Sequence, residues 1–406
     1  MILILMTLTY RLVNNLMNSA KRSGNRLSDI DCLENTNDYN SFMGKTYLFI
    51  LCFYIITNLM TNGFASSKHR LKYRPYFSST IMDNDQASAR VFATGVDLNY
   101  QFRVSKSLTS LIRGGALLET GSNNSLNLKE FAPEKELVLY EAKLRFQPDF
   151  IPFLELDLGS LSLNRYSSPL LLGQSVFMGL NEKLILGLDY NLQLEAIQAI
   201  PNNQTLASRS GGIEEGTPSF LMERVSVNLG GDLIAFTISA SHFKFNNLSG
   251  GVANQSRYMG NDISGSAQTS YFIYDFEGYN STLNLRLNQS SFFKINIDAE
   301  YLFNDKAPDG QNSGMLGKAT LLLGDLGLGM SYFRNEKNAS PAYYNSKYYG
   351  HNNKKGLGIN LSILNVFESF DFFAQVAKFE RIDTSNILIS DGYLVDLKLV
   401  RKFTSF

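Results

Sequence analysis

The sequence alternates between apolar and polar residues over long stretches. In residues 292–303, FFKINIDAEYLF, apolar side chains occupy the odd-numbered positions, whereas Lys294, Asp298 and Glu300 occupy even-numbered ones. A period of two indicates a β-strand with one apolar face and one polar face. The fold is therefore constrained by what each of these two faces contacts.

The same pattern recurs along the chain, and no segment from residue 66 onward shows a sustained helical period. In 183–196 the alternation runs without a break from Leu184 to Ala196, which predicts one continuous strand. The predicted strands are 72–82, 95–104, 107–120, 138–147, 152–161, 170–180, 183–196, 219–229, 233–245, 279–287, 292–303, 315–323, 326–334, 355–363, 369–381 and 392–403. The alternation is weaker in several of them, 219–229 and 233–245 included.

Short turns such as 104–107 and 324–325 alternate with long loops rich in Asn, Ser and Gly, such as 246–268. Aromatic residues such as Tyr393 and Phe403 collect at strand ends, which suits the two girdles of a membrane barrel. Strands of about 12 residues tilted by about 45° rise by about 28 Å, close to the hydrocarbon thickness of about 30 Å.

The prediction is an all-β fold: a closed antiparallel transmembrane β-barrel of about 16 strands, with short periplasmic turns and long extracellular loops. The count depends on residues 162–183, which read either as a strand or as an inward-folded loop. Counts of 14 and 18 therefore stay open.

The N-terminal region predicts export. Residues 43–65 contain a lone Lys45, an apolar run over 47–56 and the small-x-small sequence Gly63-Phe64-Ala65, the order expected of a signal peptide. The run is short of the roughly 20 residues that span a bilayer, which disfavours an uncleaved anchor. Residues 1–42 precede this signal, where no segment is expected, and include a polar stretch without periodicity, so we expect translation to start at Met43. The predicted organisation is an unstructured extension over 1–42, a signal peptide over 43–65 and the barrel over 66–406.

Composition excludes several classes of function. Lys and Arg total 37, as do Asp and Glu, which gives no reason to expect a nucleic-acid partner. Both cysteines, Cys32 and Cys52, precede residue 66, so the mature chain fits an exported protein without disulfides. No cysteine and histidine cluster has ligand spacing, and neither a metal site nor a cofactor is predicted.

Together these features resemble those of Gram-negative outer-membrane porins. The resemblance rests on the signal peptide, the alternating strands, the unequal connections and the final strand GYLVDLKLVRKFTSF, which ends in the aromatic Phe406. It implies an outer-membrane location, contact with lipid and lipopolysaccharide, and insertion by the barrel-insertion machinery through the C-terminal strand. The resemblance does not determine the oligomeric state, and a homotrimer is among the states that it allows.

In such a barrel the apolar positions face lipid, because backbone polar groups in a bilayer must be paired within a closed sheet. The polar positions face a lumen too wide for side chains to fill. The predicted pore-lining residues are Asp97, Arg103, Lys143, Arg145, Glu155, Asp157, Asp189, Glu195, Arg224, Arg286, Lys294, Asp298 and Glu300.

Two ion pairs are predicted in this set. In the simplest hairpin register around 148–152, Arg145 faces Glu155 and Lys143 faces Asp157. Positive and negative residues occur in similar number, so no strong ion preference is predicted.

The function that this supports is passive diffusion of small hydrophilic solutes through a water-filled channel. The alternative is a structural or adhesive barrel that acts through surface loops such as the Tyr-rich 341–355. An enzyme is not predicted, because hydrolysis needs a nucleophile beside a histidine. His242 falls on the lipid-facing side of 233–245, whereas Ser239 and Ser241 point the other way.

Overall fold

The structure is a computed structural model that describes residues 69–84, 88–123, 135–163, 168–173, 175–187, 190–201, 216–288, 290, 292–366, 369–384 and 388–405. The predicted extension 1–42 and signal peptide 43–65 lie outside the described residues, as do Asp189 and Phe406. The chain divides into two units, 1–66 and 67–406, and all described residues belong to the second. None of the helices among them is long and apolar enough to cross a membrane.

Sixteen antiparallel strands form one closed barrel, which confirms the predicted fold and strand count. They are β1 (His69–Asn84), β2 (Ser88–Arg103), β3 (Leu108–Asn123), β4 (Lys135–Phe146), β5 (Leu154–Ser162), β6 (Val176–Leu186), β7 (Tyr190–Pro201), β8 (Ser219–Leu229), β9 (Ile234–Asn246), β10 (Phe276–Asn288), β11 (Phe293–Asn304), β12 (Ser313–Leu323), β13 (Leu326–Asn335), β14 (Lys354–Val366), β15 (Phe370–Arg381) and β16 (Gly392–Arg401). Each strand pairs with the next, and β16 pairs with β1 to close the sheet, with Phe77 opposite Leu399.

The connections differ between the two ends of the barrel. One end, which we call the turn end, carries short connections such as 104–107, 230–233 and 324–325. The other, the loop end, carries 163–175, 247–275 and 336–353, although β1 and β2 are joined there by 85–87 alone. The loop 247–275 contains the helix α1 (Gly250–Tyr258), whose Ser249 side chain caps the Val252 N–H. Which end faces the cell exterior stays a prediction.

The predicted strand 183–196 is wrong, because the chain turns between β6 and β7. Gly187 has a φ of 96°, which favours glycine, and Leu184 then pairs with Leu194 while Leu186 pairs with Leu192. The turn thus keeps the apolar residues on one face, and the alternation passes through it unchanged. The predicted strand 170–180 is also wrong in its first half, since residues 168–173 are a loop.

The outward face is mostly apolar and exposed, as in Leu328, Met330 and Ile359, which suits contact with lipid. It is interrupted by charged residues, among them Glu182 on β6, Glu223 on β8 and, nearer the loop end, Lys244 on β9 and Glu277 on β10. The period of two therefore separates the two faces of the wall as predicted, with these exceptions.

The inward face changes character along the barrel axis. Near the turn end it carries polar and charged residues, whereas near the loop end it carries buried apolar ones from most strands. Fully buried rings include Phe177 on β6, Phe243 on β9, Phe333 on β13 and Phe379 on β15. These side chains form one apolar cluster, the lumen core, with loop residues over 168–173 and 336–353.

The lumen core corrects two expectations. The inward positions do not all face water, because loops fold into the loop half of the barrel and pack there as in a protein interior. The Tyr-rich segment 341–355 is not displayed at the surface either. Tyr344 is buried, with its ring centroid 5.1 Å from that of Phe177 and 5.7 Å from that of Phe245.

A glycine substitution tests one close approach within the wall. Gly159 on β5 has a φ of 133°, and a Cβ there would lie 2.4 Å from the carbonyl oxygen of Ala142. We expect Gly159→Ala to lower the free energy of unfolding by ~1–3 kcal/mol, the usual cost of such strain. Gly317→Ala is the matched control, because a Cβ there meets nothing within 4 Å. Equal stability of the two variants in urea unfolding from lipid vesicles would contradict the close approach.

Candidate pore

An ionic network lies on the inner wall of β4 and β5. Lys143 Nζ lies 2.6 Å from Glu141 and 2.7 Å from Asp157, and Arg145 Nε lies 2.8 Å from the other carboxylate oxygen of Asp157. Arg145 also pairs with Glu155 at 3.0 Å. The side chains of Lys143 and Asp157 are almost fully buried. Buried charges of this kind are tolerated only when paired and hydrogen-bonded, which this network achieves.

Both predicted ion pairs are confirmed, but the predicted register is wrong. Arg145 lies directly opposite Asp157, and Lys143 lies opposite Gly159. Two successive tight turns occupy the residues that link β4 to β5. In the first, the Ile151 N–H is bonded to the Pro148 carbonyl, and in the second, the Leu154 N–H is bonded to the Ile151 carbonyl. The ion pairs therefore run diagonally between the strands.

Other residues predicted to line the pore also lie on the inner wall of the barrel. Asp97 Oδ2 accepts a hydrogen bond of 2.6 Å from Arg74. Glu195 lies opposite Arg224, whose guanidinium donates to the Ser239 hydroxyl at 2.9 Å. Arg103 is exposed at the turn end and donates to the Lys106 carbonyl.

The remaining predicted residues lie on β10 and β11. Arg286 is opposite Asn296, and Lys294 is opposite Asn288. Asp298 accepts a hydrogen bond from the side chain of Asn284. Whether any of these residues contacts a permeating solute stays a prediction.

Glu300 does not line an open lumen. It is buried, and its carboxylate accepts hydrogen bonds from the Leu170 N–H at 3.0 Å and from the Asn280 side chain at 2.8 Å. Ser168 also donates to Asn280, at 2.9 Å. Glu300 therefore anchors the inward loop 168–173 to the wall. The sequence pattern identified its face correctly but could not show the loop that covers it.

Asparagine side chains hold the loop 336–353 inside the barrel. Asn352 donates to the Ser340 carbonyl at 2.6 Å and accepts from both Asn335 and Asn345 at 2.6 Å. The Ser340 hydroxyl in turn donates to the Leu170 carbonyl at 2.7 Å, which joins the two inward loops. Amide side chains can both donate and accept, so they satisfy backbone groups that would otherwise be buried without partners.

Glu336 fixes the start of this loop. Its carboxylate accepts from the N–H groups of Asn312 and Ser313 and from Arg334, each at 3.0 Å. Burial alone would raise the pKa of Glu336, but these hydrogen bonds outweigh it and hold the pKa below the usual range. The carboxylate is therefore charged at neutral pH.

One part of the inner wall stays accessible over its whole length. No inward residue of β3 from Thr109 to Asn123 is buried, and β3 and β4 contribute no residue to the lumen core. Arg113 and Glu119 lie on this wall, and the side chain of Arg113 is 45% exposed although it pairs with Glu141 at 3.7 Å. We call this strip the β3 wall.

Tyrosines lie beside the β3 wall. Tyr76 on β1 and Tyr140 on β4 are hydrogen-bonded to each other. Burial raises the pKa of the Tyr348 phenol above its usual range, and the carboxylates of Asp396 and Glu119 raise it further. Tyr348 belongs to the inward loop 336–353, so this loop approaches the β3 wall. The open part of the lumen is therefore off-centre.

Sequence reasoning missed Arg113, Glu119 and the tyrosines of this passage. Arg113 and Glu119 do fall on the inward positions of the predicted strand 107–120, which was the available signal. A bulge between Arg113 and Gly114 shifts the partner strand by one residue and brings Tyr140 to the inner face. Such a bulge is not visible in the alternation of a single strand.

Solved structures with a similar fold are outer-membrane proteins. OprB of Pseudomonas putida, in a high-pH structure, is 10% identical over 84% of this chain and 94% of its own, with a TM-score of 0.55. A loop L8 deletion mutant of OmpT, an outer membrane protein of Vibrio cholerae, is 8% identical over 83% and 100%, with a TM-score of 0.48. A mutant of the Rh. blastica porin is 7% identical over 83% and 100%, with a TM-score of 0.43.

At these identities the similarity supports the fold alone. The argument for the fold uses only OprB, the one of the three structures with a TM-score above 0.5. The chain shares the barrel fold of Gram-negative outer-membrane porins, which confirms the resemblance inferred from the sequence. No protein-family model matches the sequence, and no curated protein matches it either.

Proposed function

We propose that this chain is an outer-membrane porin through which small hydrophilic solutes diffuse passively along the β3 wall. The observation that carries the proposal is the continuous accessibility of the inward residues of β3, beside an inner wall that is otherwise packed at the loop end. The apolar outward face supports a place in a lipid bilayer, since a closed sheet leaves no unpaired backbone group toward lipid.

The chemistry of the passage favours solutes that carry no large net charge. Arg74 and Arg113 on its wall are balanced by Asp97 and Glu141, within ion-pair distance in both cases. Tyr140, bonded to the buried Tyr76, adds a hydroxyl group that can both donate and accept hydrogen bonds. A pore lined by both signs of charge lacks the rings of one sign that impose strong ion selectivity.

A pair of tryptophan substitutions tests the route. Leu117 points inward on β3 and Leu118 points outward and is exposed. We expect Leu117→Trp to reduce single-channel conductance in planar bilayers severalfold, because the indole narrows the passage. Leu118→Trp is the matched control and should leave conductance unchanged, since its side chain meets lipid. Equal conductance of both variants would contradict a route along β3.

The structural or adhesive alternative remains the competing function. The inward loops that fill the loop half of the barrel support it, whereas the burial of Tyr344 argues against display of the Tyr-rich loop. Planar-bilayer recordings separate the two functions. A steady open current supports the porin, and no current from correctly folded protein supports the structural barrel.

The proposed role is not enzymatic. His242 lies on the outward face, 3.7 Å from Glu277, so the barrel wall separates it from the inward Ser239 and Ser241. His351 is buried and bonded to Asn345 at 2.7 Å. Contact with lipopolysaccharide, insertion through the C-terminal strand and a homotrimeric state remain predictions from the resemblance to porins.

A further inference from the structure

The turn end of the lumen contains a pocket of about 360 Å³ where β15, β16 and β1 meet. Its lining includes the charged residues Arg74, Asp371, Lys398, Arg401 and Lys402 and the aromatic residues Phe373 and Phe403. None of its lining residues was among those predicted from the sequence to line the pore.

A bulge brings an aromatic ring into this pocket. Tyr76 pairs with Val400 of β16, and beyond the end of β16 Tyr73 pairs with Thr404. Three residues therefore separate Val400 from Thr404, whereas two separate Tyr73 from Tyr76 on β1. An extra residue reverses the direction in which later side chains point. Phe403 accordingly lies under the inward Arg74, with the guanidinium carbon 4.5 Å from the ring centroid, and not in the lipid-facing girdle where the sequence predicted it.

Two ammonium groups of the pocket have neutral partners. Lys398 Nζ lies over the Tyr76 ring, 4.7 Å from its centroid, and Lys402 Nζ contacts the side-chain oxygen of Asn365. Within the described part of the chain, no carboxylate lies within ion-pair distance of either ammonium. Lys398 is partly buried whereas Lys402 is exposed. A partly buried cation without an ion-pair partner, such as Lys398, is disfavoured, and an incoming anion would relieve this cost.

The remaining charged groups of the pocket are Arg74, Arg401 and Asp371. Arg74 donates two hydrogen bonds to Asp97, at 2.6 and 3.0 Å. Asp371 accepts the backbone N–H of Asn365 at 3.0 Å. Asp97 balances Arg74, which leaves the cations Lys398, Lys402 and Arg401 against the single carboxylate of Asp371, so the net charge offered to a ligand is positive.

The pocket also has an apolar side. Phe373 lies inward, directly opposite Lys398, and it is substantially exposed, as is Phe403. Exposed rings beside free ammonium groups match a ligand that has an anionic head and an apolar body.

We propose that this pocket binds small organic anions with an apolar body, such as aromatic carboxylates, with the head on Lys398 and Lys402 and the body against Phe373 and Phe403. This inference adds to the proposed channel a binding site for one class of solute, at the turn end of the passage. Its relevance to transport rests on the proposed function.

The test is calorimetric titration of the full mature protein in detergent micelles with benzoate, with benzyl alcohol and acetate as matched probes. We expect benzoate to bind more tightly than either probe, since benzyl alcohol lacks the charge and acetate lacks the ring. Lys398→Met should weaken benzoate binding about tenfold, the factor expected for loss of a charge-assisted contact. Lys398→Arg should retain binding.

Lys294→Met is the control variant, because it removes another inward cation near the turn end, on β11. Equal loss of benzoate binding in Lys294→Met and Lys398→Met would overturn the assignment, as would binding of benzyl alcohol as tight as that of benzoate. The ranking of the three probes on the unmodified protein decides the matter even if a variant fails to fold. Binding is measured without a membrane, so it is independent of conductance. A barrel that carries no current but binds benzoate would contradict the proposed porin function and still support the proposed binding pocket.

Discussion

Replacement of Asp157 by alanine is expected to lower the free energy of unfolding by about 3 kcal/mol. The carboxylate lies between Lys143 and Arg145, at 2.7 and 2.8 Å, and its side chain has no exposure. Removal of one partner leaves buried cations uncompensated, which costs ~3–5 kcal/mol in buried pairs. We expect the lower end because Glu141 and Glu155 still contact the two cations. Urea unfolding from lipid vesicles measures the change.

A double-mutant cycle isolates the Lys143–Asp157 pair. Lys143→Met and Asp157→Leu should each destabilise the barrel, and the double variant should be less destabilised than the sum of the two. Thr109→Ala, on the inner face opposite Arg145, is a control outside the ionic network. Strict additivity of Lys143→Met and Asp157→Leu would show that the contact carries no coupling.

Shortening the inward loop 336–353 is expected to raise single-channel conductance severalfold. In the variant, a Gly-Ser linker replaces residues 338–351, and Glu336 with its hydrogen bonds to Asn312 and Ser313 is kept. The deleted segment includes Tyr344 of the lumen core, so its removal opens the loop half of the barrel. Conductance in planar bilayers measures the change.

The same shortened loop carrying Leu117→Trp provides the control. In the protein with the full-length loop, Leu117→Trp should reduce conductance. In the shortened variant the space left by residues 338–351 provides a second route, so conductance should remain high. Unchanged conductance after shortening would mean that the loop does not obstruct the lumen. Thermal unfolding of the shortened variant shows whether the wall itself remains intact.

The sequence predicted the wall of the barrel better than its contents. Alternation depends only on which face of a strand each side chain takes, and this local rule holds along the strands of the wall except at the bulge in β4. It failed at Gly187, because a turn that pairs Leu186 with Leu192 keeps the apolar residues on one face. The ion pairs of Lys143 and Arg145 were predicted, but their register depended on two tight turns that the pattern does not show.

The lumen core was not predicted, because it depends on contacts between residues far apart in the chain. Phe243 and Phe245 lie on the inward positions of β9, which is why the alternation in 233–245 is weak. In the structure this weak alternation indicates an inner face covered by folded loops. Similarly, Glu300 has the sequence pattern of a pore-lining residue, and only the position of the loop 168–173 shows its anchoring role.

The most direct test of the account is the reactivity of single cysteines along β3. From residue 66 onward the chain contains no cysteine, so with Cys32 and Cys52 replaced by serine each introduced thiol is unique. With the protein in a bilayer, we predict that a water-soluble methanethiosulfonate reagent modifies cysteines at Leu111, Arg113, Leu117 and Glu119 and reduces the current. Cysteines at Ile112 and Leu118 should remain unmodified, and so should one at Phe245 within the lumen core. Equal modification of neighbouring positions on β3, or modification of the outward ones alone, would contradict a wall with lipid on one side and enclosed water on the other.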